Sequence, residues 1–460
     1  MKEEDKMTIK KQLKKNRLTM ALITALTLLS ACSEQVAPTA SIAPMTSQQV
    51  VKDITYLASD NLKGRASFSK EIDQAGEFIS QRFSEIGLAP LEGYNSFKQT
   101  FKVTSIMPNA LTMTLNGKNI EAENLAMAST IAEISWKNIS DVNTHIIGEN
   151  DNMREVIGKL NQDGGQHLVI IHSAHAKMFA GYRGYFQRGL TKLNLEHQGA
   201  IIMVLADDNK ASSIEVNATT TIAEKTLTNI VAILPGTDKK PATAKEVILY
   251  SSHYDHLGLT PDGKEVFNGA DDDASGTSAV INLAQHFASK GNNKRTLMFS
   301  AFTAEEIGGF GSKYFSQQLN PDDIVAMINI EMIGKPSKFG AGTVWMTGME
   351  RSNLGALLNE SLKTKNTEVY KDPYPKQGLF YRSDNATLAR LGVPAHSFSS
   401  TQLDKDQHYH QTSDDINSLD LDSMYKVIES LSVATQGLVD GTITPTRIDV
   451  NKVRRQGKIY

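Results

Sequence analysis

The sequence predicts an α/β fold with a β-rich insertion, and three observations carry that prediction. Two apolar runs, Glu246 to Ser252 and Thr296 to Phe302, have strand length and lead into polar residues: His253 after the first, Glu305 and Glu306 after the second. Between them, Asn268-Gly-Ala-Asp-Asp-Asp-Ala-Ser-Gly276 opens a segment with apolar residues at Val280, Leu283, Ala284 and Phe287, the spacing of one buried helix face. Finally, residues 103 to about 225 alternate short β-like runs with polar stretches, before strong strand patterning returns at Asn229-Ile-Val-Ala-Ile-Leu-Pro235. His253, Asp272, Glu305 and Glu306 are therefore expected at strand ends and a helix start, the edge where an open α/β sheet binds ligands.

Taken in order, the chain begins with seven Lys/Arg within residues 2–17, followed by the apolar run Leu18 to Leu29. Charged-then-apolar is the layout of a secretory signal, and the run is short for a membrane span. Leu29-Ser30-Ala31-Cys32 resembles the bacterial lipobox, which implies a signal peptide over 1–31 and a lipid on Cys32, the only cysteine. Ser33 at the next position points that lipoprotein to the outer membrane of a bacterial cell envelope. Removing 1–31 takes away more basic than acidic groups from a chain of net charge −3. An acidic chain without basic clusters argues against a nucleic-acid partner. With no second cysteine, disulfides are excluded and a metal site must use His and carboxylates.

Residues 32–47, rich in Ser, Ala, Pro and Thr, read as a tether. Ile72, Ala75, Ile79, Phe83 and Ile86 form a helical stripe stopped by Gly87. Before it, Leu57 to Arg65 carries Asp, Asn and Gly and reads as a loop. The insertion supplies β-like runs at Ala110–Leu115, His167–Ile171 and Ala200–Leu205, with no dense cluster of ligand-type residues. Beyond Glu306, Ile324 to Gly334 reads as a buried strand interrupted near its end by Glu331, a charge that is costly there unless paired or metal-bound. A strand at Thr343–Thr347 follows, then a helix over Leu354–Leu362, the strand Val393–Phe398, a His/Asp-dense loop at Asp406–Asp415 and a last helix through Met424–Leu438. Residues 441–460 are polar, and nothing in them suggests a role.

These residues fit one chemistry. Two zinc ions about 3.5–4 Å apart share a bridging carboxylate and a bridging water, which acidifies the water and polarises a carbonyl. The site needs a bridging carboxylate, two terminal His, two terminal carboxylates and a free carboxylate as base. Asp272, His253 with His410, Glu306 with Glu331, and Glu305 supply that inventory. Asp255, two residues from His253, is placed to hold the imidazole's other nitrogen.

The order H-x-D, G-A-D-D-D-A-S-G, A-E-E-x-G, strand-terminal acid and Y-H-x-x-x-D resembles the co-catalytic zinc aminopeptidases, a family that includes glutamate carboxypeptidases and glutaminyl cyclases. The resemblance covers 48–102 and 226–440, with the D-N-L-x-G-R turn and the R-S-D…G-V-P-A segment inside it. It implies a mixed, mostly parallel central sheet flanked by helices, with 103–225 as a protease-associated-like lid. It implies two zinc ions, one held by His253, Asp272 and Glu331 and the other by Asp272, Glu306 and His410. It implies Glu305 as general base, Tyr409 as a stabiliser of the oxyanion, and a cis peptide at Asp272–Asp273. Two positions depart from the pattern: Glu331 stands where Asp is common, and Ser383-Asp384-Asn385 replaces S-D-H. The activity implied is removal of N-terminal residues from peptides. A carboxypeptidase or cyclase on the same scaffold, or a binding protein on an inactive one, are the alternatives.

Overall fold

Seven-residue runs with both faces buried build the centre. Val247–His253, Thr296–Phe302 and Ile324–Ile330 bury nearly every side chain, the pattern of strands covered on both sides. The computed structural model describes residues 42–195, 197–207, 210–365 and 367–454. The signal segment, Cys32 and the tether up to residue 41 lie outside the described residues.

The three strands and Ala395–Ser399 lie side by side in the order 296–302, 247–253, 324–330, 395–399, every neighbouring pair parallel. Ile214–Leu234 adds antiparallel to Thr296–Phe302, and Val344–Met346 adds antiparallel to Ala395–Ser399. The sheet is thus mixed with a parallel heart, the fold class the sequence predicts. Parallel neighbours run in one direction, so their C-terminal ends share one edge, and the residues that follow them gather there.

The helix Gly276–Lys290 buries residues 276–285 without a break and packs against the 247–253 and 296–302 strands. It stops at Gly291, whose φ of +59° lets its N–H bond Phe287 O. Lys70–Ile86 begins with the Ser69 side chain accepting from Ile72 N and ends at the left-handed Gly87, as its stripe predicts. The expected loop 57–65 follows on from the end of the helix Ser47–Leu57 and contains a short 3-10 segment, Asp60–Arg65, broken by a left-handed turn at Lys63 and Gly64.

Lys98–Leu115 and Ile214–Leu234 pair antiparallel along most of their length, and Val103 and Lys225, the expected edges of the insertion, face each other in that register. Between these strands lies a separate four-stranded sheet, in the order 125–129, 199–205, 165–171, 143–147. It is not β alone. Helices Met153–Asp163 and Ala176–Gln187 cover one face through Met153, Ile157, Leu160 and Phe179.

The C-terminal stretch is also integrated. Ile448 and Val453 join a core cluster with Met298, Phe302 and Ala395, and Arg295 donates to Leu438 O and Ile443 O. Among the described residues no helix is long and apolar enough to cross a membrane.

Candidate metal centre

The sheet edge brings the ligand-type residues together from five separate segments. His253 closes its strand, Glu331 directly follows Ile330, and Glu305 and Glu306 follow Thr296–Phe302 after a two-residue turn. Asp272 lies in the turn that feeds the buried helix, and the Asp272–Asp273 peptide is cis, as the resemblance implies. His410 comes from the 402–415 loop.

Three non-glycine residues at this edge have left-handed backbone: Ala304 before Glu305, Met332 after Glu331, and His410 itself. Such conformations cost about 1–3 kcal/mol each and persist only where the surroundings over-determine them. Here those surroundings are visible. Met332 N, Ile333 N and Gly334 N donate in turn to Asp273 Oδ1, Ser275 Oγ and Asp271 Oδ1. Asp414 accepts from Asp271 N and Asp272 N. The segment bearing Asp272 therefore also fixes the turn bearing Glu331.

Asp272 stands between the two imidazoles. Its Oδ1 lies 3.2 Å from His253 Nε2, and its Oδ2 lies 3.2 Å from His410 Nε2. His410 Nε2 is also 3.4 Å from Glu306 Oε2. Zinc bonds of about 2.0–2.1 Å at tetrahedral angles place neighbouring donors roughly 3.4 Å apart, so these spacings suit shared coordination. His253, Asp272 and Glu331 form a second cluster, with one donor atom from each within 4.8 Å of the others. His253 Nε2 and Glu331 Oε2 are buried and meet no aligned hydrogen-bond partner among the described residues. Buried polar atoms without partners are rare, and a bound cation is one explanation of them. The donors fit a metal.

The part of the chain that carries these residues is similar to known peptidases. Residues 229–435 match Peptidase family M28. Leucine aminopeptidase 1 of Neurospora crassa is 29% identical over 206 residues, 43% of this chain and 50% of that protein. Leucine aminopeptidase 1 of Aspergillus niger is also 29% identical, over 43% of this chain and 51% of its own length. The chain spans about half the length of the curated relatives it matches. Among solved structures, an aminopeptidase from Aneurinibacillus sp. strain AM-1 shares the fold over 90% of this chain and 97% of its own, with a TM-score of 0.53 and 17% identity. A zinc aminopeptidase from Bacillus subtilis does so over 90% and 99%, with a TM-score of 0.52 and 14% identity.

The matched segment, 229–435, concentrates negative charge. Burial pushes the Glu331 and Asp384 carboxyls up to about 7, and it raises Glu305 well above the usual carboxylate range. For Asp272 burial acts in the same direction, but its contacts with His253 and His410 outweigh it and hold the carboxyl low. Asp272 and Glu306 overcome burial at His410 and raise it to about 10. A cluster of acids this dense would be ionised together only with positive charge beside it, which a bound cation would supply. Lys335 does not provide it here, because its ammonium faces Asp271, Asp406 and Asp414 on the far side of the turn.

Asp255 sits differently from the sequence expectation. His253 Nδ1 faces the backbone carbonyl of Asp255 at 3.1 Å, while the nearer carboxylate oxygen is 3.8 Å away. The carboxylate instead accepts from Glu305 N, Glu306 N and Ser67 Oγ, so it fixes the Glu-Glu turn rather than the imidazole. Tyr409 stacks on His410 with ring centroids 3.9 Å apart and lines the same cleft as Asp272, Glu305 and Glu331.

Two residues at this site escape the sequence reading. The first is His256, whose only signal is the second imidazole in H-Y-D-H. It is buried, its Nδ1 is 2.7 Å from Glu306 Oε1, and its ring fills space that a Cβ at Gly269 would occupy. Glu306 is then held by one oxygen while the other faces His410. Replacing His256 with Phe keeps the packing and removes this bond. We expect affinity for one metal equivalent to fall about 10–100-fold, the usual cost of losing a ligand's supporting bond. Chelator competition reads the change, and two equivalents bound as tightly as in the parent would make the ring a space-filler.

The second is Arg65. It is wholly buried and donates to four backbone carbonyls, those of Leu57, Tyr254, Asn268 and Gly269. It thereby ties the loops that carry Asp255, His256 and Asp272. Burial lowers its pKa to about 10, opposed by the charges of Asp255 and Asp414. Each buried acceptor left without a donor costs about 1–3 kcal/mol, so Arg65→Leu is expected to cut stability by about 3 kcal/mol or more. Thermal unfolding tests this, and an unchanged Tm would refute it.

Proposed function

We propose that the chain is a zinc-dependent aminopeptidase that hydrolyses the N-terminal peptide bond of peptides. The observation that carries this reading is Asp272 between two imidazoles, one carboxylate oxygen toward each, with Glu305 in the same cleft. The aminopeptidases among its relatives support it. His253, Asp272 and Glu331 would hold one zinc ion, and Asp272, Glu306 and His410 a second. Bound there, zinc would supply Lewis acidity to the scissile carbonyl and acidify a water.

The chain's own residues do the rest. Glu305 takes a proton from the attacking water and delivers it to the departing amine nitrogen, so that the C–N bond breaks and no free amide anion forms. Asp255 holds Glu305 in place through the peptide N–H. The Tyr409 hydroxyl donates to the oxygen that gains charge as the carbonyl becomes tetrahedral.

Purified protein should hydrolyse L-leucyl p-nitroanilide, lose that activity to a chelator and regain it with added zinc. N-acetyl-leucyl p-nitroanilide should be refractory. Hydrolysis that survives complete metal removal would sink the metal reading, and equal hydrolysis of the acetylated substrate would sink the exopeptidase reading.

A further inference from the structure

The metal cluster lies at the middle of three adjoining concavities. The central cleft, about 510 Å³, is lined by Asp272, Glu305, Glu306, Glu331 and His410. On the Glu331 side it shares Glu331, Gln377, Arg382 and Tyr409 with a cavity of about 320 Å³ walled by Trp345, Leu379 and Leu403. On the other side it shares Glu306 with a groove of about 590 Å³. One wall of that groove is the peptidase core, at His256, Leu257 and Ile307; the opposite wall is the insertion, at Met107, Tyr185, Arg188 and Lys192.

The groove gathers exposed apolar groups from both walls. Thirteen large hydrophobic side chains are exposed among the described residues, and four of them, Met107, Tyr185, Leu257 and Ile307, line this one feature from both walls. Apolar groups gathered this way mark a binding surface rather than the ordinary scatter. Arg188 and Lys192 stand exposed on the insertion wall, with no ion-pair partner among the described residues. A wall with apolar side chains and two cations suits an extended chain that carries both apolar groups and carboxylates.

An exopeptidase needs a space for one residue on one side of the scissile bond and room for a chain on the other. The smaller cavity beyond Glu331 suits the single residue. The groove beyond Glu306, nearly twice its volume, suits the chain. We propose, resting on the aminopeptidase reading, that this groove binds the leaving portion of the substrate, and that the preferred substrates are oligopeptides with an apolar residue and a carboxylate after the scissile bond. The insertion then acts as one wall of the substrate site, rather than as the lid that the resemblance implies.

The test compares Leu-Phe-Glu-Ala with L-leucyl p-nitroanilide, which carries no residues to fill the groove. Both are run with the zinc-loaded full chain and with an Arg188→Ala/Lys192→Ala variant, in which both changed residues are exposed. The parent should favour the tetrapeptide by tenfold or more in kcat/KM. In the variant that preference should fall about tenfold, mainly through a higher KM, and Leu-Phe-Lys-Ala should be less affected than Leu-Phe-Glu-Ala. Hydrolysis of the anilide with no advantage for the tetrapeptide, or an unchanged preference in the variant, overturns the groove alone. If neither substrate is hydrolysed, the aminopeptidase reading fails and the groove assignment fails with it.

Discussion

Glu305→Gln is expected to keep its metal and lose turnover by about 10²–10⁴-fold, the usual contribution of a positioned general base. The change removes a proton acceptor and leaves the shape nearly intact. Glu305 occurs in neither His/carboxylate cluster, so metal should bind the variant as it binds the parent. Backbone features help to set the residue's position: the left-handed Ala304 turns the chain, and Asp255 accepts from Glu305 N. Both features survive the substitution. Metal content and kcat measured on one preparation give the answer. A variant with full metal and near-parental kcat would remove Glu305 from the chemistry, and one that loses metal in parallel with activity would make it a ligand.

What the sequence makes legible here follows from how local each signal is. Val247–His253, Thr296–Phe302 and Ile324–Ile330 are buried on both faces, so they read as apolar runs, and the polar residue ending each run stands out. Gly87 and Gly291 end their helices in the left-handed conformation that glycine tolerates, again a local cue. Partnerships across the fold leave no such trace. His256 meets Glu306 fifty residues away, and three of Arg65's four carbonyls lie about 190 to 200 residues downstream. Asp255 is the instructive case. Proximity in sequence suggests that its carboxylate serves His253, yet two peptide N–H groups from another strand end come closer and claim it. The insertion's helices were present as stripes, Met153, Ile157 and Leu160 in one and Phe179, Tyr182 and Phe186 in the other. Short β-like runs on either side mask them, because windows of ten residues carry both periods weakly.

Glu331→Gln is expected to lose one metal equivalent preferentially and to lower activity at least 100-fold, while Glu331→Asp keeps part of both. The carboxylate sits at the end of a buried strand, and its Oε2 meets no hydrogen-bond partner among the described residues. A charge in that position costs several kcal/mol unless something positive answers it. The nearest lysine in sequence, Lys335, is spent on three aspartates across the turn. His253 and Asp272 complete a donor set with Glu331, so metal is the partner that the geometry offers. Gln keeps the side chain's length and volume but replaces a charged donor with a neutral amide, which separates ligand charge from packing. Asp keeps the charge and retracts it by one methylene. The turn that carries residue 331 is pinned by Asp273, Ser275 and Asp271 through three successive peptide N–H groups, so the backbone has little freedom to advance and restore the contact. Partial function is therefore the expectation for Asp, although Asp is common at this place in the resembling family. Metal titration of the three proteins beside their kcat/KM decides the matter. If Glu331→Gln binds two equivalents with parental affinity and hydrolyses peptide normally, the carboxylate is structural and the donor set for that metal must be drawn without it.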